Sequence, residues 1–118
     1  MDDIRSKFLA LRATVPSEEV TVPGVGVVTM RGLTAAKRDE WEQRIYNSKG
    51  RTLTNIRASL VALCVYHDGA PLFGAADVEA IGDMPAAVID SLYDVATRLS
   101  GMGAKDRETI EGNSAGGL

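Results

Sequence analysis

The sequence predicts an α+β fold: a single, mostly helical domain with a β-hairpin near its N-terminus. Three observations carry this. Residues 18–22 and 27–31 have strand-like character on either side of Pro23-Gly24-Val25-Gly26, a strand–turn–strand pattern. Beyond residue 34, apolar residues recur at three- and four-residue steps, the helical period. The 118 residues, 45% of them apolar and 25% charged, suffice for one core without disulfide or metal staples. The domain is expected over residues 1–112, with 113–118 as a flexible C-terminal tail.

Ile4, Phe8 and Leu11 sit at helical spacing, so residues 3–12 read as a short helix with one apolar edge, ended by Pro16 and Ser17. Strands follow over 18–22 and 27–31: Val20 and Val22 share a face, Val27 and Thr29 share one, and Val28 and Met30 lie opposite the latter pair. Between them proline presets one turn dihedral and glycine accepts the positive φ of a reversal. Gly24-x-Gly26 lacks the third glycine and the helix of a nucleotide fingerprint, so it is read as a turn alone.

Thr34 is placed to cap a helix running to about Asn47, whose surface is charged and includes the i,i+4 pair Glu40 and Arg44. Its apolar stripe, Trp41 and Ile45 with Tyr46 beside it, is narrow. That stripe fits either shallow docking on the hairpin or a surface that meets a partner, since Trp and Tyr serve both roles. Residues 47–51 read as a mobile loop. Thr54 or Asn55 then caps a helix that is apolar on most faces: Ile56, Leu60, Leu63 and Cys64 on one side, Val61 and Val65 on another. This is the expected buried element. His67-Asp68-Gly69 reads as a turn leading into extended Ala70-Pro71-Leu72-Phe73.

The last third is helical. A short helix around Asp77, Val78 and Ile81 ends near Gly82, and Pro85 opens the next at its first position. Val88, Ile89, Leu92, Tyr93, Ala96 and Leu99 make its stripe, and Gly101 stops it. Residues 105–111 suggest one more weak helical stretch.

Charge argues against a nucleic-acid binder. The net charge is −3, whereas backbone binding is led by Lys and Arg. The balance is uneven: residues 1–67 carry +3 and residues 68–118 carry −6. Such asymmetry fits solvated faces or basic-to-acidic association between copies. The N-terminus is charged without a signal-peptide core, and the longest apolar run, Leu60 to Tyr66, is too short for a bilayer. A cytoplasmic chain is expected.

Residues able to run a reaction are sparse. Cys64, the one cysteine, lies in an apolar run and reads as a small buried hydrophobe. His67, the one histidine, has no second ligand or nucleophile near it in sequence. With no metal-ligand spacing and no nucleophile–base arrangement, no enzyme, cofactor or metal is expected.

The order of segments nevertheless resembles the tail assembly chaperones of long-tailed, lambda-like bacteriophages. The resemblance is carried by the hairpin from Glu19-Val20 through Pro23-Gly24 to Val28 and by Arg31-Gly32-Leu33-Thr34-Ala35-Ala36. It continues through the run from Ile56 to Cys64, Asp68-Gly69, Leu72-Phe73, the run from Asp77 to Ile81 and Asn113-Ser114. It covers roughly residues 4–114, and order and spacing carry it rather than any one segment. Where that family has a basic residue before the Asn-Ser pair, this chain has Gly112.

The resemblance implies a non-enzymatic role. Such proteins escort the tape-measure protein, a long helical chain that sets tail length, keep it soluble while tail-tube protein polymerises around it, and are absent from the mature virion. They work in the cytoplasm of the bacterial host. A longer frameshifted product commonly recruits the tail-tube protein. The alternatives are a structural head–tail connector or tail completion protein, and a bacterial protein-interaction adaptor.

A small domain can shield an amphipathic helix by laying its stripe in a groove, with many copies adding avidity. The expected groove borders Trp41, Ile45 and Tyr46, with Val65, Tyr66 and Phe73. Copies are expected to form a homo-oligomer, basic side to acidic side. Nucleic-acid and membrane partners are not expected.

Overall fold

In a computed structural model that describes residues 3–47 and 55–102, the fold is α+β. Asp3 caps helix α1 (Ile4–Leu9), its carboxylate accepting from Arg5 N–H at 3.0 Å and from the Ser6 hydroxyl at 2.9 Å. A 3-10 turn, Ala10–Thr14, continues it. None of the residues in this N-terminal arm is buried, so the expected apolar edge stays exposed among the described residues.

The predicted hairpin forms as β1 (Ser17–Val22) and β2 (Gly26–Arg31), antiparallel with Val20 opposite Val28, and Val25 N–H donating to the Val22 carbonyl in the turn. Because side chains alternate, Val20, Val22, Val28 and Met30 share the core face and Val27 and Thr29 the other.

Thr34 caps α2 (Ala35–Asn47): its hydroxyl accepts from Lys37 N–H at 3.2 Å and its carbonyl from Arg38 N–H at 2.9 Å. On the exposed side Arg38 pairs with Glu42 at 3.2 Å, the i,i+4 spacing. Helix α3 (Ile56–Cys64) is the buried centre, as its pattern predicted. Asn55 occupies the cap position with φ 59° but makes no side-chain cap. Its amide instead lies where a Cβ on Gly82 would stand, which ties the start of α3 to the end of α4.

Sequence reading ran α3 through Val65, and here the structure differs. The helix stops at Cys64, and Val65–His67 forms β3, pairing with β2 through Thr29–Tyr66 and Met30–Val65. A two-residue turn at Asp68-Gly69 returns the chain as β4 (Ala70–Pro71). Both turn residues have positive φ, 51° and 80°, the geometry that matches the twist of a tight hairpin. The sheet therefore has four antiparallel strands in the order β1-β2-β3-β4, with α2 and α3 inserted between its two central strands.

Helices α4 (Val78–Gly82) and α5 (Ala86–Leu99) complete the layer. Pro85 is the residue before α5 rather than its first helical position; its extended ψ of 133° leaves its carbonyl to accept from Val88 and Ile89. Ile89, Leu92, Tyr93 and Ala96 are buried against α3 and the sheet. Gly101 N–H donates to Arg98 O and Met102 N–H to Thr97 O, closing α5 with a Schellman pattern that buries Met102.

The described residues share one core. No helix among them is long and apolar enough to cross a membrane. Of the expected loop at 47–51, Asn47 ends α2 and residues 48–51 lie outside the described residues, as do Thr54, the helical stretch at 105–111 and the tail at 113–118.

Candidate functional site

Helix α5 packs on α3 and on β2, and touches the edge strand β1 through the Arg98–Glu18 pair and the residues of an opening between them. Arg98 meets Glu18 near the start of β1, and the opening lies toward the end of the strand. The opening is a groove of about 240 Å³ lined by Val20, Val22 and Pro23 on one side and Val88, Ser91 and Leu92 on the other.

Each wall follows from local sequence. Alternation sends Val20 and Val22 to the same face of β1, which among the described residues is an edge strand. The four-residue step from Val88 to Leu92 sets two apolar side chains one turn apart on α5. The groove is smaller than the about 300–1,000 Å³ of sites built for small molecules. It suits a bulky apolar side chain projecting from another polypeptide.

The six residues singled out from sequence do not line one groove. Trp41 is 1% exposed and is a core residue, its indole N–H donating to the Ser59 hydroxyl at 3.0 Å while that hydroxyl donates to the Ile56 carbonyl at 2.7 Å. The narrow stripe of α2 is therefore its docking stripe onto α3. Val65 is buried because β3 turns it to the core face beside Met30.

Tyr66 falls on the opposite sheet face and is buried by cations. The Arg31 guanidinium stands 5.0 Å and the Lys37 ammonium 5.6 Å from its ring centroid. Ile45 and Phe73 are partly buried against the core. Only Tyr46 is open, 68% exposed beside a shallow depression it shares with Asp39, Glu42 and Gln43. Burial removes Trp41, Val65 and Tyr66 from any ready-made contact surface.

Sequence reading missed the groove. Val20, Val22, Val88 and Leu92 were assigned to their strand and helix, but nothing in a linear pattern says that these residues border one opening. It also left open what the edge of the N-terminal arm rests on. Ile4, Phe8 and Leu11 are 73%, 71% and 54% exposed, an apolar edge of the arm that the other described residues leave open.

The chemistry-bearing residues stand apart. Burial pushes the Cys64 thiol up from 9.0 to about 12, against smaller lowering effects of the Ser100 hydroxyl and the Lys37 charge. His67 is exposed and sits 3.4 Å from the carboxylate of Asp68. Among the described residues no group of three His, Cys, Asp or Glu side chains is arranged to hold a metal ion.

Compared with known proteins, the chain matches no family model, no curated sequence and no solved structure.

Proposed function

We propose that this protein is a phage tail assembly chaperone: it binds an amphipathic helical segment of the tape-measure protein, keeps that protein soluble, and is released as tail-tube protein polymerises around it. The structural observation that carries this is the open apolar groove between β1 and α5. A client helix laid across it would insert one large apolar side chain between Val20 and Leu92, and repeated copies would supply affinity along a long client. The order of sequence segments shared with that family is the other support.

In this reading the protein does no chemistry, acts in the cytoplasm of the bacterial host, and is left out of the virion. Tail-tube protein is recruited through a longer frameshifted form. The earlier grouping around Trp41 is replaced as the contact surface by the groove.

The test is co-expression with the tape-measure protein. The unsubstituted chain is expected to bring the client into the soluble fraction and to co-purify with it. Val88→Asp, which sets a charge in the groove at a partly exposed position, is expected to lose both. Retention of client by Val88→Asp would remove the groove from the mechanism, and mass-spectrometric detection of the protein in purified virions would overturn the chaperone role itself.

A further inference from the structure

Two half-buried cations share one tyrosine on the sheet face away from the core. Arg31 ends β2 and Lys37 is the third residue of α2, and they stand 5.0 and 5.6 Å from the ring centroid of Tyr66. Among the described residues neither makes an ion pair; even Glu19, on the same face opposite Thr29, pairs with neither. Tyr66 is 8% exposed, yet its hydroxyl has no hydrogen-bond partner among the described residues. Lys37 also occupies the position where a threonine-capped helix favours glutamate, which would reach back to the cap and suit the positive helix end. The first turn of α2 holds no acid, so the lysine adds its charge to that end and to Arg31.

Helix α4 carries the inverse arrangement. Glu79 and Asp83 are exposed and four residues apart, a spacing at which like charges repel, and Asp83 caps the carbonyl end of the helix, where a negative charge is disfavoured. Neither carboxylate makes an ion pair among the described residues. The two clusters lie toward opposite ends of α3. Tyr66 follows the C-terminal end of that helix, whereas Gly82 lies against Asn55, the residue before its first turn. The nine residues of α3 hold them about 13 Å apart along its axis. Each cluster therefore keeps its own repulsion within one chain.

We propose that these clusters meet between copies: Arg31 and Lys37 of one chain receive Glu79 and Asp83 of the next. The chain carries both halves, two charges against two, which makes a second copy the matching occupant. Repulsion within each cluster is offset by attraction across the contact, and a carboxylate seated there gives the Tyr66 hydroxyl an acceptor. The contact joins different surfaces of the two copies, so it builds a ring or a spiral according to its rotation. Ion pairs this exposed are individually weak, so the association is weak and salt-sensitive. None of the four charged residues lines the β1–α5 groove, and the inference stands independently of client binding.

The experiment is sedimentation of full-length chains without client, at low and high salt. The unsubstituted chain should associate at low salt, with its dissociation constant raised about tenfold or more in high salt as the charges are screened. Lys37→Glu and Glu79→Lys each cancel the net charge of one cluster, and each variant alone should sediment as a monomer. Mixed together they should associate again, because the basic pair of the second chain and the acidic pair of the first are both intact. Circular dichroism and urea unfolding check the fold; Lys37→Glu completes a capping box with Thr34, which keeps loss of contact distinct from loss of structure.

An unsubstituted chain that is monomeric at low salt, or whose association high salt leaves unchanged, overturns the proposal. So does a mixture of the two folded variants that stays monomeric. The client reading is scored separately. If Lys37→Glu is monomeric alone, associates with Glu79→Lys and still solubilises the tape-measure protein while Val88→Asp does not, both proposals stand. If the mixture associates but Val88→Asp retains client, only the groove reading fails.

Discussion

Arg98, in the last turn of α5, donates from Nη2 to both carboxylate oxygens of Glu18 in β1, at 2.9 and 3.0 Å. This contact ties α5 to β1 near the start of the strand, and the groove lies toward its end. Both side chains are substantially exposed, 59% and 41%, so the pair orients α5 on the sheet edge more than it stabilises the fold.

A double-mutant cycle of Arg98→Ala and Glu18→Ala should therefore return a coupling of about 0.5 kcal/mol in urea unfolding, shrinking as salt is added. A coupling of several kcal/mol would mean that α5 is held to β1 there and not by apolar contacts.

Trp41 is the only tryptophan, so its fluorescence reports on the α2–α3 contact. Trp41→Ala should cost about 3–5 kcal/mol in urea unfolding, the range for emptying a large buried site. Ser59→Ala should cost less, about 1–3 kcal/mol, because it leaves the indole N–H with only the Ile56 carbonyl at 3.4 Å. A red shift of native emission in Ser59→Ala would show α2 loosening.

Gly32 lies against the backbone at the end of α5, where a Cβ would run into the Leu99 carbonyl, while Leu33 N–H donates to the Ser100 hydroxyl at 2.9 Å. Backbone atoms cannot swing aside as a side-chain tip can. Gly32→Ala should lower stability by about 1–3 kcal/mol, whereas Gly74→Ala, with open space at its Cβ, should fall within about 0.5 kcal/mol of the unsubstituted chain. Thermal melts of the two variants side by side make the comparison.

The buried Cys64 thiol ionises near pH 12 in the folded chain and near 9.0 when exposed. Between these values the unfolded state holds fewer protons than the native one, so this group's contribution to stability falls as pH rises through that window. Stability of the unsubstituted chain should decline above pH 9, and Cys64→Ala, though less stable at neutral pH, should show a shallower decline. A thiol reagent at neutral pH should label the protein only after denaturant is added.

Most of the architecture was legible because it rests on local rules. The Val20/Val28 alternation, the Thr34 cap and the α5 stripe each state their answer within a few residues. Val65 and Tyr66 misled because they extend a run of apolar residues that is equally good helix or buried strand. Only pairing with Met30 and Thr29, far back in the chain, decides between them.

The two-residue Asp68-Gly69 turn was the local signal that a second hairpin stood there. The site was less legible still. Trp41 carries the residue type of a contact surface but the burial of a core. The groove, by contrast, is lined by ordinary residues such as Val20, Val22 and Val88, which only the fold brings together.

Inserting α2 and α3 between β2 and β3 also dictates an order of events during synthesis. The first hairpin emerges early with Val20, Val28 and Met30 bare, and its covering helix α5 is among the last described parts to be made. A nascent chain interrupted in that interval presents a greasy half-sheet to the cell. Among the described elements, α5 is thus the part of the cover for this face that leaves the ribosome last.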